Sequence, residues 1–234
     1  GDSAYNDLRQ DKSRATKKWS RQNENVFIEF KRTMGLDTSY ESSNMNCFFS
    51  SEDLSSEVLK ALKSFISDDS INSAVLAGIE HCELLQEPIA ASMAYGLSSV
   101  KKDGIWLVFD FGGGTFDVAL LKVEDGIMQV KDTEGDNYLG GKNLDYAVVD
   151  EIIIPYLQEN YVIDDILTDD AKKQILRDAV KFYAEQIKNQ LSFKPQCDIT
   201  SQLDEFGEDD NGIGLELDMV VTQQQMKKVI APVF

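Results

Sequence analysis

The chain has 234 residues, 42% of them apolar and 27% charged, which is ordinary for a soluble globular protein and enough for one large domain or two small lobes. Its 41 Asp/Glu against 23 Lys/Arg give a formal net charge of -18, an excess that repels phosphate backbones and lipid head groups and argues against nucleic acid or membrane as partners. The three cysteines, Cys47, Cys82 and Cys197, have no metal-binding spacing and read as free thiols of a reducing, cytoplasmic setting, and no apolar run reaches the length of a membrane span.

Residues 1–23 are polar and show no sustained period, and an opening on Gly1-Asp2 suggests a piece of a longer protein. Residues 1–35 hold eight Lys/Arg against five Asp/Glu, so the acidic excess lies downstream. Phe27 to Met34 reads as a short helix or strand, and the Ser- and Asn-rich stretch 36–50 as a loop. Ser51 is placed as the N-cap of a helix, with carboxylates in its first turn. Leu54, Val58, Leu59, Leu62 and Phe65 follow at helical spacing, and the helix is expected to end near Asp68. His81, the single histidine, has no evident partners for catalysis or metal binding and reads as structural. A second helix is expected from Pro88, where a missing N–H costs nothing, to a stop at Gly96.

Ile105 to Asp110 is apolar almost throughout, the pattern of a strand buried on both faces. Phe116 to Val123 is the next strand, and Asp125-Gly126 marks a tight hairpin into Ile127 to Val130. Residues 170–191 read as the longest helix, with an apolar stripe of Ile175, Ala179, Phe182 and, after a slip of one residue, Ile187 and Leu191. From Cys197 to Val221 the chain alternates as strands do. The acidic run Glu205 to Gly212 interrupts it and reads as a solvated hairpin tip.

The segment Asp110-Phe111-Gly112-Gly113-Gly114-Thr115-Phe116-Asp117 carries the most chemistry. Three glycines between two strands leave backbone N–H groups bare to an anion, and Thr115 adds a hydroxyl. Asp110, at the mouth of the loop, is a carboxylate able to hold the water shell of Mg²⁺. Taken alone, the run fits a bulge or flexible turn as well as a phosphate loop, since it is neither a P-loop nor a dinucleotide fingerprint.

Gln86 to Leu97 (QEPIAASMAYGL), then FDFGGGTFD, then Gly135-Asp136-Asn137-Tyr138-Leu139-Gly140-Gly141 resemble, in order and approximate spacing, the middle of a DnaK-type chaperone's nucleotide-binding domain, in the heat-shock protein 70 family. The resemblance runs the length of the chain with interruptions. It implies an α/β fold of the actin-like ATPase (ribonuclease H-like) class, a mixed sheet flanked by helices, with residues 1–103 an incomplete first lobe and 104–234 most of the second. It implies ATP or ADP with Mg²⁺ as ligand. Glu87, Asp110 and Thr115 would act in catalysis, with Asp110 toward the metal. Gly112, Gly113, Gly114 and Thr115 would wrap the β- and γ-phosphates, and Gly141 would lie by the ribose and α-phosphate. Glu185 to Ser192 resembles the family's adenosine helix, in which Glu185 and Lys188 would address the ribose and Ser192 the adenine. Read without the family, Glu185 and Lys188 fit the exposed side of an amphipathic helix. Asn189 stands where many members have an arginine.

Four departures accompany the resemblance. The family's N-terminal D-G-T-T loop is absent. Gly1 to Tyr5 matches a G---K element with Tyr5 in place of the lysine used in hydrolysis. Ser73-Ala74-Val75 runs straight into Leu76-Ala77-Gly78, where the family has a further strand and the start of a helix. The chain also ends before the family's second adenine-binding glycine pair. The short 36–58 segment and Tyr5 are closest to the divergent HscC-like branch. The expected protein is therefore the ATP-binding part of a monomeric, cytoplasmic stress-response chaperone that couples ATP turnover to unfolded client proteins and co-chaperones. Tyr5 and the missing first loop leave a non-hydrolysing nucleotide sensor as an alternative; an actin-like filament protein or sugar kinase is another, which shares the GGGT-type loop but is not expected to carry the flanking two motifs together.

Overall fold

The computed structural model describes residues 9, 10, 12, 15–17, 27, 30–42, 44–64, 85–95 and 103–233. Tyr5, Phe65, His81, Cys82, Gly96, the 73–78 junction and the expected helix end at Asp68 lie outside them. The chain forms two compact units, one of residues 27–140 and one of residues 1–26 with 141–234.

In the first unit a 3₁₀ turn at Phe30–Thr33 precedes a short hairpin of β1 (Tyr40–Ser42) and β2 (Cys47–Phe49). This hairpin lies inside the stretch expected to be a loop. Asn46, with φ at 50°, makes its turn, and the ring of Phe27 packs on Tyr40 and Phe49 at 5.9 and 6.1 Å. Helix α1 (Ser51–Ser64) is capped by Ser50, not by Ser51. The Ser50 hydroxyl accepts from the Asp53 N–H at 3.1 Å, and the Asp53 carboxylate accepts from the Ser50 N–H at 2.9 Å. That exchange satisfies two orphan donors at once and holds the Asp53 carboxyl below its usual range. Ser51 is instead buried, 2.6 Å from the hydroxyl of Thr33. Of the expected stripe on α1, Leu54 is buried whereas Val58 and Leu59 are exposed.

Helix α2 (Glu87–Ala94) starts one residue before Pro88. Strands β3 (Gly104–Phe111), β4 (Phe116–Glu124) and β5 (Ile127–Asp136) then form an antiparallel meander, with Asp125 and Gly126 both at positive φ in the hairpin turn. The expected burial of β3 on both faces does not hold. Among the described residues β3 pairs only with β4, and Ile105, Leu107, Phe109 and Phe111 on one face are exposed while Trp106 and Val108 on the other are half-buried.

The second unit opens with α3 (Gly141–Val148), a π-helical turn at Val149–Ile153 and α4 (Ile154–Asn160). Pro155 accounts for the wide turn: its ring needs room over the preceding turn, and it offers no N–H to continue the ladder. A short α5 (Asp164–Thr168) leads to α6 (Asp170–Leu191), with the bounds expected for the longest helix. Asp169 caps α6 by accepting from the N–H groups of Ala171 and Lys172 at 2.9 and 3.1 Å. The apparent slip in its stripe has a cause: Tyr183, not Phe182, takes the buried position between Val180 and Ile187. Strands β6 (Gln196–Thr200) and β7 (Asp218–Thr222) pair antiparallel, and α7 (Gln223–Ile230) follows behind a capping box from Thr222 and Gln225. All described strands pair antiparallel, in three separate sheets, so the parallel ladders of a mixed sheet are not among the described residues. No described helix is long and apolar enough to cross a membrane.

One continuous apolar core lies in this second unit, built by Val148, Ile153, Leu157, Leu176, Val180, Ile187, Leu217 and their neighbours. The acidic run 205–212 is only partly the solvated tip expected: Glu208, Asp210, Asn211 and Gly212 are exposed, whereas Glu205, Phe206, Gly207 and Asp209 are buried. Phe206 is fully buried, and Asp209, also buried, accepts from the N–H groups of Val162, Asn211 and Ile213. Burial pushes the Asp209 carboxyl up, and the three N–H donors outweigh it, leaving a net lowering. Gly207, at φ +82°, has no room for a Cβ, which would come within 2.7 Å of the Thr16 carbonyl.

Candidate functional site

The glycine loop is a four-residue connection closed by the Gly112 N–H donating to the Thr115 carbonyl at 2.8 Å, with Phe111 and Phe116 paired below it. A Cβ on Gly113 would meet nothing within 4 Å, so that backbone faces open space. Gly140 has the opposite surroundings. A Cβ there would come within 2.5–2.8 Å of the backbone of Gly113 and Gly114, so the third motif supports the second through bare backbone. Gly135 does the same for Asp117, whose carboxylate oxygen would be 2.7 Å from an added Cβ.

A cavity of about 400 Å³ beside the loop is lined by Gly114, Thr115, Asp117, Asn137, Glu87, Met34 and Lys31. Lys31 is the residue that the sequence reading missed. Its ammonium donates to both oxygens of Glu87, at 2.7 and 3.0 Å. Both side chains are more than two-thirds exposed, 74% and 71%, so this pair adds at most about 1 kcal/mol to stability. Its value to the fold is small, while its position brings a cation to the cavity beside the glycine loop. The one signal for it in the sequence was the basic surplus of residues 1–35 in an otherwise acidic chain.

A second, smaller cavity, about 190 Å³, joins Glu87 and Pro88 to Asp110 and Asp117. Asp110 and Asp117 are directly opposed across the β3–β4 ladder. Like charges facing one another across a ladder oppose sheet formation, and a cation is the natural relief. Among the described residues no group of three such side chains could hold a metal ion. Within this unit the structure thus gathers Glu87, Asp110, Thr115 and the loop glycines, and adds Lys31, Asp117, Gly135 and Gly140.

The other expected residues lie in the second unit. Gly141 is the first residue of α3. Its carbonyl accepts from Lys188 at 3.5 Å, and Lys188 also reaches the Asp145 carboxylate at 2.5 Å. Lys181 meets the other oxygen of Asp145 at 3.3 Å. Glu185 and Lys188 are half-buried on α6, so the bare-surface reading of that face does not hold for them. Ser192 is exposed at the C-cap and turns its hydroxyl back to the Lys188 carbonyl at 2.9 Å. Asn189 is exposed. Gly141, Lys188 and Ser192 are thus linked, Asp145 joins them unforeseen, and Tyr5 is outside the described residues.

A family model described as Hsp70 protein matches residues 65–234.

Proposed function

The chain belongs to the Hsp70 protein family, and from that premise we propose that the loop 112–115 binds the phosphates of ATP or ADP with Mg²⁺ and that this chain hydrolyses ATP. The family's nucleotide-binding domain has the actin-like ATPase fold and serves a chaperone, so nucleotide binding and a chaperone ATPase are the coarse function. The finer reading is a DnaK-type, HscC-like member, cytoplasmic and monomeric, whose turnover is coupled to unfolded clients and co-chaperones. In this reading residues 1–103 are the first lobe and 104–234 the second, a division by descent that cuts across the two contact units. The α6 face with Glu185, Lys188 and Ser192 serves the nucleoside.

The observation that carries the reading is the cavity joining Lys31, Glu87, Thr115 and Asp117 to the bare loop backbone. Phosphoryl transfer asks little covalent chemistry of a protein and much positioning of charge. The loop backbone at Gly113, where a Cβ would meet open space, would approach the phosphate oxygens, and Lys31, paired with Glu87, would supply a cation beside them. Asp110 and Asp117 would hold the metal's water shell, and the bound Mg²⁺ would neutralise phosphate charge. The departure at Tyr5 then loses its force, because Lys31 provides the positive charge that a tyrosine lacks.

Calorimetric titration with ATP and Mg²⁺ tests the binding. Gly113→Val, which folds freely because its Cβ meets open space, should abolish binding by filling the phosphate position; unchanged affinity would remove the loop from the site. Single-turnover hydrolysis tests the cation. Lys31→Met should slow it about 10²–10³-fold, while Tyr5→Lys should leave it unaltered. Equal, measurable rates for wild type and Lys31→Met, with binding intact, would remove Lys31 from hydrolysis, and binding without any wild-type turnover would favour the sensor.

A further inference from the structure

Asp145 sits on α3 with its side chain 4% exposed, and one ammonium group meets each of its carboxylate oxygens: Lys188 at 2.5 Å and Lys181 at 3.3 Å. A buried carboxylate is unfavourable unless it is paired. One lysine would complete a neutral pair. Two lysines leave the Asp145–Lys181–Lys188 trio alone with a formal surplus of one positive charge, and the Lys188 and Lys181 side chains remain 20% and 25% exposed. Lys188 is fixed further by the Gly141 carbonyl, 3.5 Å away. An ammonium has three donors, so two of those on Lys188 are committed to the protein and the third is left for a ligand.

We propose that Asp145 is a positioning residue for the nucleotide: it holds the Lys188 ammonium against Gly141 with one donor turned outward, and Lys181 offsets the Asp145 charge so that the cluster stays cationic. The ligand oxygen it presents to is a sugar hydroxyl, and a loss of tripolyphosphate affinity in the variants would overturn that. This rests on the reading that α6 serves the nucleoside. A purely structural Asp145 would only tie α3 to α6, and the two roles separate in a thermodynamic cycle.

The experiment measures dissociation constants for ADP and, separately, for tripolyphosphate, which has phosphates and no sugar. The proteins are the 234-residue chain, Asp145→Asn, Lys188→Met and the double variant. Each single change should weaken ADP about tenfold, the scale of one charge-assisted hydrogen bond. The double variant should bind ADP within about twofold of Lys188→Met, and tripolyphosphate should bind all four alike, within the scatter expected of independent sites. An Asp145→Asn effect that is absent, or that persists undiminished beside Lys188→Met, overturns the proposal and leaves the nucleoside reading standing. Unchanged ADP affinity in Lys188→Met removes that reading and the proposal together. Should Asp145→Asn fail to fold, Lys181→Met keeps the question open to test. It leaves Asp145 and Lys188 paired, and it should weaken ADP and flatten the salt dependence of binding. No change in either overturns the charge-balancing role.

Discussion

The two units of this chain bury apolar surface very differently. Residues 148–226 share one continuous core, with Leu157, Leu176, Val180, Ile187, Leu215 and Leu217 all at 0% exposure. Among the described residues of 27–140, the buried apolar side chains are Leu54, Ala119, Leu121 and Val123, while Ile105, Leu107 and Phe109 are more than half exposed. The glycine loop, Lys31, Glu87 and Asp110 belong to the thinly packed unit. Ligand-binding segments are drawn from the low-stability end of a structure, where ordering on binding is possible. The difference teaches that the main apolar core and the proposed phosphate loop lie in separate units, and each can be attacked separately.

The largest effect should come from the core. Leu176→Ala removes a fully buried side chain and should lower unfolding stability by about 2–5 kcal/mol. Leu107→Ala, at a side chain 55% exposed, should fall within about 0.5 kcal/mol of wild type. Urea denaturation of the two variants measures the contrast, and equal losses would mean that the β3 face is packed after all.

Gly140→Ala attacks the other side of the comparison. Its Cβ has no room above Gly113 and Gly114, so the loop must shift. ADP binding should weaken about tenfold or more, roughly 1.4 kcal/mol per decade, with the core's unfolding unaltered. Circular dichroism and calorimetry on the same sample read both outcomes.

Much of this was legible in the sequence, for physical reasons that can be named. The β3–loop–β4–β5 meander is local: Gly112 to Thr115 and Asp125-Gly126 specify their turns through backbone freedom alone. Helix α6 is long enough for its period to show. What was missed depends on partners far away in sequence. Lys31 meets Glu87 across 56 positions and Lys188 meets Asp145 across 43, and no local pattern encodes either pairing. Asp209 was misread for a related reason: a string of charges looks solvated until the backbone N–H groups of Val162, Asn211 and Ile213 are found to surround it. The apolar run of β3 was misread because composition shows that a strand can be covered on both faces, not that it is.

A smaller effect tests how the core unit holds its polar groups. Tyr183 is buried, donates to Glu205 at 2.7 Å and accepts from Arg9 at 3.3 Å. Burial first, and the Glu205 carboxylate second, raise its pKa above the ordinary value. The folded state therefore favours the protonated phenol. That contribution is complete below the unfolded value, about 10, and is lost as pH rises above it. Urea midpoints should fall between pH 9 and 11 more steeply in wild type than in Tyr183→Phe; parallel curves would place the phenol outside the core network.

The most direct test of the account is hydrogen exchange with and without saturating ATP and Mg²⁺. Amides of 112–116 and 137–140 should exchange quickly in the free chain and slow markedly with ligand, while those of Leu176, Val180 and Ile187 stay slow and unaltered. Loop amides that exchange identically with and without nucleotide would contradict the proposal that the glycine loop of the thin unit holds the phosphates.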